Sequence, residues 1–260
     1  MSLFEPYSLA GLKLANRIVM APMTRNRAPG NVPNDLMVEY YHQRASTGLI
    51  VSEGVAPSPN GLGYARQPGG YSAAQTAGWK KVCSAVHAAG GKIFMQQMHT
   101  GRIGHPHNLP AGAELIAPSA VGAAGNIVTD QSGPQPFPVP RALRTDEIAA
   151  TTAEYVQTSH NAIEAGFDGV ELHGANGYLI EQFLQPRSNV RTDAYGGSLE
   201  NRNRFAIETA AAVAKAIGAG RTGVRLSPFN TFNDLAVYPE IPEQYELLAR
   251  ELGKIGRAHV

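Results

Sequence analysis

Residues 169–178 read GVELHGANGY, a short apolar run that ends in a cluster of polar residues. The run predicts a buried strand at residues 170–173, because it is brief and bounded by glycine. Three polar side chains lie at the end of this strand or just after it: His173, Asn176 and Tyr178. Polar groups directly after a buried strand are typical of a binding or catalytic edge.

The same arrangement recurs along the rest of the chain. Further apolar runs predict strands at residues 17–23, 49–54, 93–99 and 224–227. Amphipathic segments predict helices at residues 34–46, 74–89, 145–165, 198–217 and 242–252. Polar residues again gather after the strands, at 22–25, 53–54, 96–102 and 225–228. The repeating unit is therefore one strand followed by one helix.

Such repeats close either as a doubly wound sheet or as a (β/α)8 barrel. No predicted strand is followed by a GxGxxG fingerprint, and residues 61–63 (GLG) lie in a loop rich in proline and serine. In a barrel, all the polar strand ends would surround one mouth. We therefore predict an α/β fold of the TIM-barrel class, with residues 100–143 as an excursion over the mouth.

Composition narrows the class of partner. The 260 residues are 43% hydrophobic and 17% charged, with a formal net charge of +1 that is scattered along the chain. This distribution argues against nucleic acid and acidic membrane surfaces, and favours a small-molecule partner. Cys83 is the single cysteine, which excludes a disulfide framework and a four-thiolate metal site and indicates a reducing, cytoplasmic environment. We predict no metal site, no export signal and no membrane span.

Four motifs together carry a resemblance to a known family. They are APMTR at 21–25, HTGR at 99–102, ELHGANGY at 171–178 and SNVRTDAYGGSLENR at 188–202. In this order and spacing, from residue 3 to about residue 252, the chain resembles the old yellow enzyme family of NADH:flavin oxidoreductases and alkene reductases. The resemblance implies a barrel that holds FMN without a covalent bond. It also implies reduction by NADPH or NADH and reoxidation by an activated alkene, such as an enone, enal, maleimide or nitroalkene.

The resemblance also implies which residues bind the flavin. The cofactor-binding residues are expected to be Pro22, Met23, Thr24, Ala56, Gln96 and Arg225. Thr24 would donate to the flavin O4, and Arg225 would stabilise the anionic reduced ring beside N1 and O2. The residues themselves leave other interpretations open: a helix N-cap for Thr24 and a polar layer or ion pair for Gln96 and Arg225. Gln97 is a further competitor for the Gln96 position.

The substrate would meet the polar residues after the strand at 170–173. His173 and Asn176 are expected to donate to the substrate oxygen, which becomes negative as hydride adds to the β-carbon. Tyr178 is expected to protonate the α-carbon. A structural histidine and a tyrosine that only packs on the ring are the alternatives.

One rival activity is a non-catalytic or inactive truncated barrel that binds flavin without turnover. We expect such a barrel to lose at least one residue of the set His173, Asn176 and Tyr178, and all three are present. Family members with an iron–sulfur cluster need cysteines that this chain lacks, and Thr24 argues against the subgroup with cysteine there.

The end of the chain carries a separate expectation. The pattern supplies five strands, whereas a closed barrel has eight. We therefore expect residues 1–253 to be a single FMN-binding barrel domain, truncated after about five βα units and without its FMN phosphate ligands. Translation of AAG ATC GGA AGA GCA CAC GTC, the start of a common sequencing adapter, gives the sequence of residues 254–260 (KIGRAHV). We interpret them as a non-native tail, with a natural basic tail as the alternative.

Overall fold

The computed structural model describes residues 2–256. Its strands are β1 (Tyr7–Leu9), β2 (Leu12–Leu14), β3 (Val19–Met20), β4 (Leu49–Val55), β5 (Ile93–Gln97), β6 (Ile116–Ala117), β7 (Asn126–Thr129), β8 (Gly133–Pro136), β9 (Arg141–Ala142), β10 (Gly169–Gly174) and β11 (Thr222–Leu226). Its α-helices are α1 (Asp35–His42), α2 (Ala73–Ala88), α3 (Thr145–Ala165), α4 (Leu179–Leu184), α5 (Leu199–Ile217) and α6 (Ile241–Ile255). Residues 257–260, most of the predicted tail, lie outside the described part.

The central sheet contains five parallel strands in the order β3-β4-β5-β10-β11. Strand order follows chain order without a reversal, and an α-helix lies between each pair of consecutive strands. A doubly wound sheet reverses its direction at a switch point, whereas a barrel winds in one direction. The sheet is therefore an arc of a (β/α)8 barrel, which confirms the predicted fold class.

Local signals set most of the element ends. The predicted bounds of α3 are those observed, because the Glu147 carboxylate accepts from the Arg144 N–H at 2.7 Å and Gly166 ends the helix at φ +99°. β3 is much shorter than its predicted span of 17–23. Proline at position 22 has no N–H to donate to a neighbouring strand, so pairing stops at Met20.

The two faces of the sheet have different partners. Val170 and Leu172 are fully buried in the main core beneath the helices. At the N-terminal ends of the strands, Leu49 and Phe94 form a smaller cluster with Leu14 of the N-terminal hairpin. This hairpin of β1 and β2 was not predicted, and it closes the bottom of the sheet.

The excursion at residues 100–143 folds into the short pairs β6–β9 and β7–β8. From it, Phe137 packs against a buried cluster of Met98, Ile103 and Tyr178. The Arg102 side chain is fully buried and donates to the Asp234 carbonyl at 2.9 Å, beyond β11. The excursion therefore lies over the C-terminal edge of the sheet, as predicted. Within residues 2–256, no helix has both the length and the apolar composition needed to cross a bilayer.

Candidate active site

Strand register places four polar side chains on one face of the sheet. Gln96 of β5 is paired with Glu171 of β10, and His173 of β10 is paired with Arg225 of β11. Because side chains alternate along a strand, Glu171 and His173 share a face, and their partners share it with them. Gln97 faces the other way, with its amide 2.8 Å from the Ser159 hydroxyl of α3. Gln97 therefore does not compete with Gln96 for the mouth.

Charge is arranged across this face. Gln96 Nε2 donates to Glu171 Oε1 at 2.8 Å, and burial raises the pKa of that carboxyl group. Within residues 2–256, the Arg225 guanidinium makes neither an ion pair nor a side-chain hydrogen bond, although its charge acts on both Glu171 and His173. Arg225 is consequently a cation that can bind an anionic group at the strand ends.

His173 is buried and neutral. The residue is 3% exposed, and its Nδ1 atom has no hydrogen-bond partner in the described part of the chain. Burial, followed by the charge of Arg225, lowers the His173 pKa to about 3. The imidazole therefore carries one N–H donor and one lone pair throughout the physiological range.

A strained turn follows His173. Asn176 has φ +58° and Gly177 has φ +79°, so two consecutive residues are left-handed. The Asn176 N–H donates to Ser227 Oγ at 2.9 Å, and the Asn176 carbonyl accepts from Asn233 Nδ2 at 2.7 Å. A Cβ atom at Gly177 would lie 2.7 Å from the Asn233 Cβ, so glycine is required there for space as well as for φ.

Tyr178 is the third predicted substrate residue, and its ring lies 4.9 Å from the His173 ring. Its hydroxyl is 2.9 Å from the hydroxyl of Tyr64, a residue that sequence analysis did not single out. Burial and the neighbouring Tyr64 raise the pKa of the Tyr178 phenol well above its ordinary value. The structure thus brings all three predicted substrate residues together and adds Tyr64 to them.

The loop after β3 carries Pro22, Met23 and Thr24. Met23 is 44% exposed, and its two neighbours are half-buried. Thr24 does not cap a helix, because the N-cap of α1 is Asn34. β3 is paired with β4, so this loop lies at the same C-terminal edge as the buried Ala56, just beyond β4.

A buried glutamate of β4 contacts the loop after β3. Glu53 is 1% exposed, and its Oε2 accepts from the Arg25 N–H at 3.2 Å. Its Oε1 accepts from the Tyr41 hydroxyl at 3.2 Å. Glu53 belongs to a polar strand end in the predicted pattern, but nothing in the sequence shows its contact with Arg25.

The polar groups at this edge fit the chemistry of FMN. The flavin pyrimidine edge presents carbonyl oxygens and an N–H group, and it becomes anionic on reduction. Thr24 offers a hydroxyl, Gln96 an amide and Arg225 a guanidinium. The unpartnered Nδ1 atom of the buried His173 is a further polar group without a protein partner in residues 2–256.

Comparison with known proteins gives independent matches over nearly the whole chain. The family model described as the NADH:flavin oxidoreductase / NADH oxidase family matches residues 2–257. A chanoclavine-I aldehyde reductase of Penicillium roqueforti is 46% identical over 263 residues, and a 12-oxophytodienoate reductase of Oryza sativa subsp. japonica is 44% identical over 269 residues. Each alignment covers 99% of this chain and 68% of the relative.

The structure of the old yellow enzyme homologue from Zymomonas mobilis superposes with a TM-score of 0.94 at 42% identity. The superposition covers 98% of this chain and 71% of the homologue. Together with the family model, this match confirms the predicted family, fold and cofactor. The chain belongs to the NADH:flavin oxidoreductase / NADH oxidase family, as an old yellow enzyme-type flavoprotein that uses FMN and a reduced nicotinamide.

Proposed function

We propose that the protein reduces activated C=C bonds of enones, enals, maleimides and nitroalkenes at the C-terminal edge of its sheet. The observation that carries this proposal is the neutral, buried His173 beside the turn with Asn176 and Tyr178, on the same sheet face as Arg225. When bound, FMN supplies the hydride that it has received from NADPH or NADH.

On the flavin side, the proposed contacts follow the order of the strands. The flavin-binding residues in this proposal are Pro22, Met23, Thr24, Ala56, Gln96 and Arg225. Gln96 is oriented by its 2.8 Å bond to Glu171, so its amide is fixed before any ligand binds. Arg225 would stabilise negative charge on the pyrimidine edge.

On the substrate side, His173 and Asn176 would donate to one carbonyl or nitro oxygen. Donors aimed at an oxygen that gains charge in the transition state lower the barrier, especially where water is excluded. His173 suits this role because it is neutral and buried, and the Asn176 side chain projects from a turn whose backbone is already bonded elsewhere.

Tyr178 would deliver the proton to the α-carbon. Its raised pKa keeps the phenol protonated in the resting protein. After transfer, the Tyr64 hydroxyl, at 2.9 Å, can donate to the phenolate oxygen and stabilise it.

We further propose that the protein works in the reducing cytoplasm. Its single cysteine, Cys83, is a buried free thiol, and burial raises the pKa of that thiol. A protonated and inaccessible thiol is a poor partner for oxidation.

The alkene reductase activity is tested by anaerobic spectroscopy of the FMN-loaded protein. We expect NADH or NADPH to bleach the flavin absorption and cyclohexenone to restore it. A protein that binds FMN but is not reoxidised by an enone, a maleimide or a nitroalkene would instead be the non-catalytic flavin-binding barrel.

A further inference from the structure

Glu181 is a buried carboxylate outside the set of residues to which a function has been assigned above. It lies in the first turn of α4 and has no exposed surface. Its Oε2 accepts from the Gly177 N–H at 2.7 Å, and its Oε1 accepts from the Ser227 hydroxyl at 2.9 Å and from the Tyr245 hydroxyl at 3.1 Å. The carboxylate therefore joins three segments of the chain.

These bonds converge on the strained turn of the site. Ser227 Oγ donates to Glu181 and accepts from the Asn176 N–H at 2.9 Å. Both consecutive left-handed residues, Asn176 and Gly177, thus have their N–H groups held by Glu181, one directly and one through Ser227. A simple helix cap would need only the bond from the Gly177 N–H to Glu181. The bond from Ser227 to Glu181 goes further, because Ser227 lies in the chain beyond β11.

We propose that Glu181 is a positioning residue for alkene reduction, which acts by holding the Asn176–Gly177 turn so that Asn176 can donate to the substrate oxygen. The inference rests on the proposed role of Asn176. It adds a residue that touches neither substrate nor flavin and works through backbone N–H groups.

The ionisation of Glu181 predicts a pH dependence of the hydrogen bonds that hold the turn. Burial raises the Glu181 pKa to about 7, against the opposing effect of its hydrogen-bond donors. The titratable groups that face it are the phenols of Tyr245 and Tyr238, whose own pKa values are raised by burial. A protonated carboxyl group is a weaker acceptor, so the hold on the turn should weaken as the pH falls through about 7.

The test compares Glu181→Gln with the parent in the FMN-loaded protein at about pH 8.5, where the parent carboxylate is ionised. The amide has no charge and keeps only one acceptor oxygen, so an NH2 group replaces the acceptor that now faces either the Gly177 N–H or the Ser227 hydroxyl. We expect hydrogen exchange at the Asn176 and Gly177 amides to become at least about tenfold faster, and enone oxidation of the reduced flavin to slow by a similar factor. Reoxidation by ferricyanide, which needs no oxyanion donors, should not change. Near pH 5.5, the parent protection factors should approach those of the variant, whose values should not depend on pH.

Two further variants keep the inference falsifiable. Ser227→Ala removes only the link to the Asn176 N–H and should reproduce the slower enone step if Glu181→Gln fails to fold. Tyr238→Phe is the matched control, because this neighbouring buried hydroxyl donates to Gln244 at 3.0 Å and not to Glu181.

Unchanged amide exchange in both Glu181→Gln and Ser227→Ala would overturn the inference. Faster exchange with an unchanged enone rate would also overturn it, provided that a His173→Ala/Asn176→Ala variant loses that rate. If the double variant keeps the rate as well, His173 and Asn176 are not the oxyanion donors, and the proposed role of Asn176 on which this inference rests fails instead.

Discussion

The turn after β10 and the loop after β3 meet at the same edge of the sheet, but the protein holds them to very different degrees. In the turn, the N–H and carbonyl groups of both Asn176 and Gly177 have hydrogen-bond partners. The Gly177 carbonyl accepts from Gln182 Nε2 at 2.7 Å. In the loop, Pro22, Met23 and Thr24 make no hydrogen bond within residues 2–256, and the Arg25 N–H donates to Glu53 at 3.2 Å. His173 is 3% exposed, whereas Met23 is 44% exposed.

The difference indicates two ways of building one site. The turn that we propose to face the substrate oxygen is fixed by protein contacts, and preorganised donors of this kind need no rearrangement as charge develops. The loop that we propose to face the flavin keeps apolar and polar surface available for a large planar ligand. We therefore expect changes in the turn to affect chemistry, and changes in the loop to affect flavin binding.

The largest effect should come from removing both oxyanion donors. His173→Ala/Asn176→Ala should bind FMN normally but slow enone oxidation of the reduced flavin by about a hundredfold or more. Anaerobic stopped-flow spectroscopy measures this step directly. An enone rate equal to that of the parent would remove both residues from the mechanism.

Tyr178→Phe should separate hydride transfer from protonation. With a nitroalkene, hydride transfer should proceed at nearly the parent rate, while protonation of the nitronate should slow by at least about tenfold. The nitronate should then accumulate and be visible in its ultraviolet absorption. Saturated product formed at the parent rate would show that Tyr178 only packs against its neighbours.

On the other side of the comparison, Glu53→Gln should act on binding. Losing the charged acceptor of the Arg25 N–H should weaken FMN binding by about tenfold, equivalent to about 1.4 kcal/mol. The enone rate per bound flavin should stay the same. Glu181→Gln is the matched control, with FMN affinity retained and the enone rate lowered. Equal effects of the two variants on both quantities would contradict the division between turn and loop.

A smaller effect should appear in the pH dependence of stability. The His173 pKa is lowered to about 3 in the folded state, below its ordinary value in the unfolded chain. At a pH between the folded and the unfolded pKa, His173 is protonated in the unfolded chain but not in the folded protein. Lowering the pH in this range therefore favours unfolding. Between about pH 6 and pH 4, the free energy of unfolding of the flavin-free parent should fall more steeply than that of His173→Gln, by about 1.4 kcal/mol per pH unit. Urea unfolding curves at several pH values measure this free energy. If the free energies of the parent and of His173→Gln fell equally with pH, His173 would not be buried in its neutral form.

Most of the fold could be predicted from the sequence because each strand and helix has a local signature. The apolar runs and the glycine after α3 act over a few residues, and barrel topology then follows from the repeated βα unit. The hairpin of β1 and β2 is too short for a pattern to emerge. α4 was missed because all of its residues are buried, so its sequence has no polar face and no helical periodicity.

The site could be predicted only in part, for a related reason. His173 stands near the end of a strand, Asn176 and Tyr178 follow that strand, and all three belong to a family motif, so both their neighbourhood and their order in the sequence identify them. Tyr64 and Ser227 take part through contacts with residues 114 and 46 positions away, Tyr178 and Glu181. No local pattern marks such partners, since only the folded chain brings them together.

Hydrogen exchange with and without FMN tests the contrast between turn and loop most directly. In protein stripped of its non-covalent flavin, the Asn176 and Gly177 amides should already be protected, and adding FMN should change their exchange by less than about threefold. The amides of Met23 and Thr24 should exchange freely and become protected by at least about tenfold when FMN is added. Protection that rises equally in both segments, or that is absent from the turn until FMN binds, would contradict the account of a preformed oxyanion site beside a flavin-ordered loop.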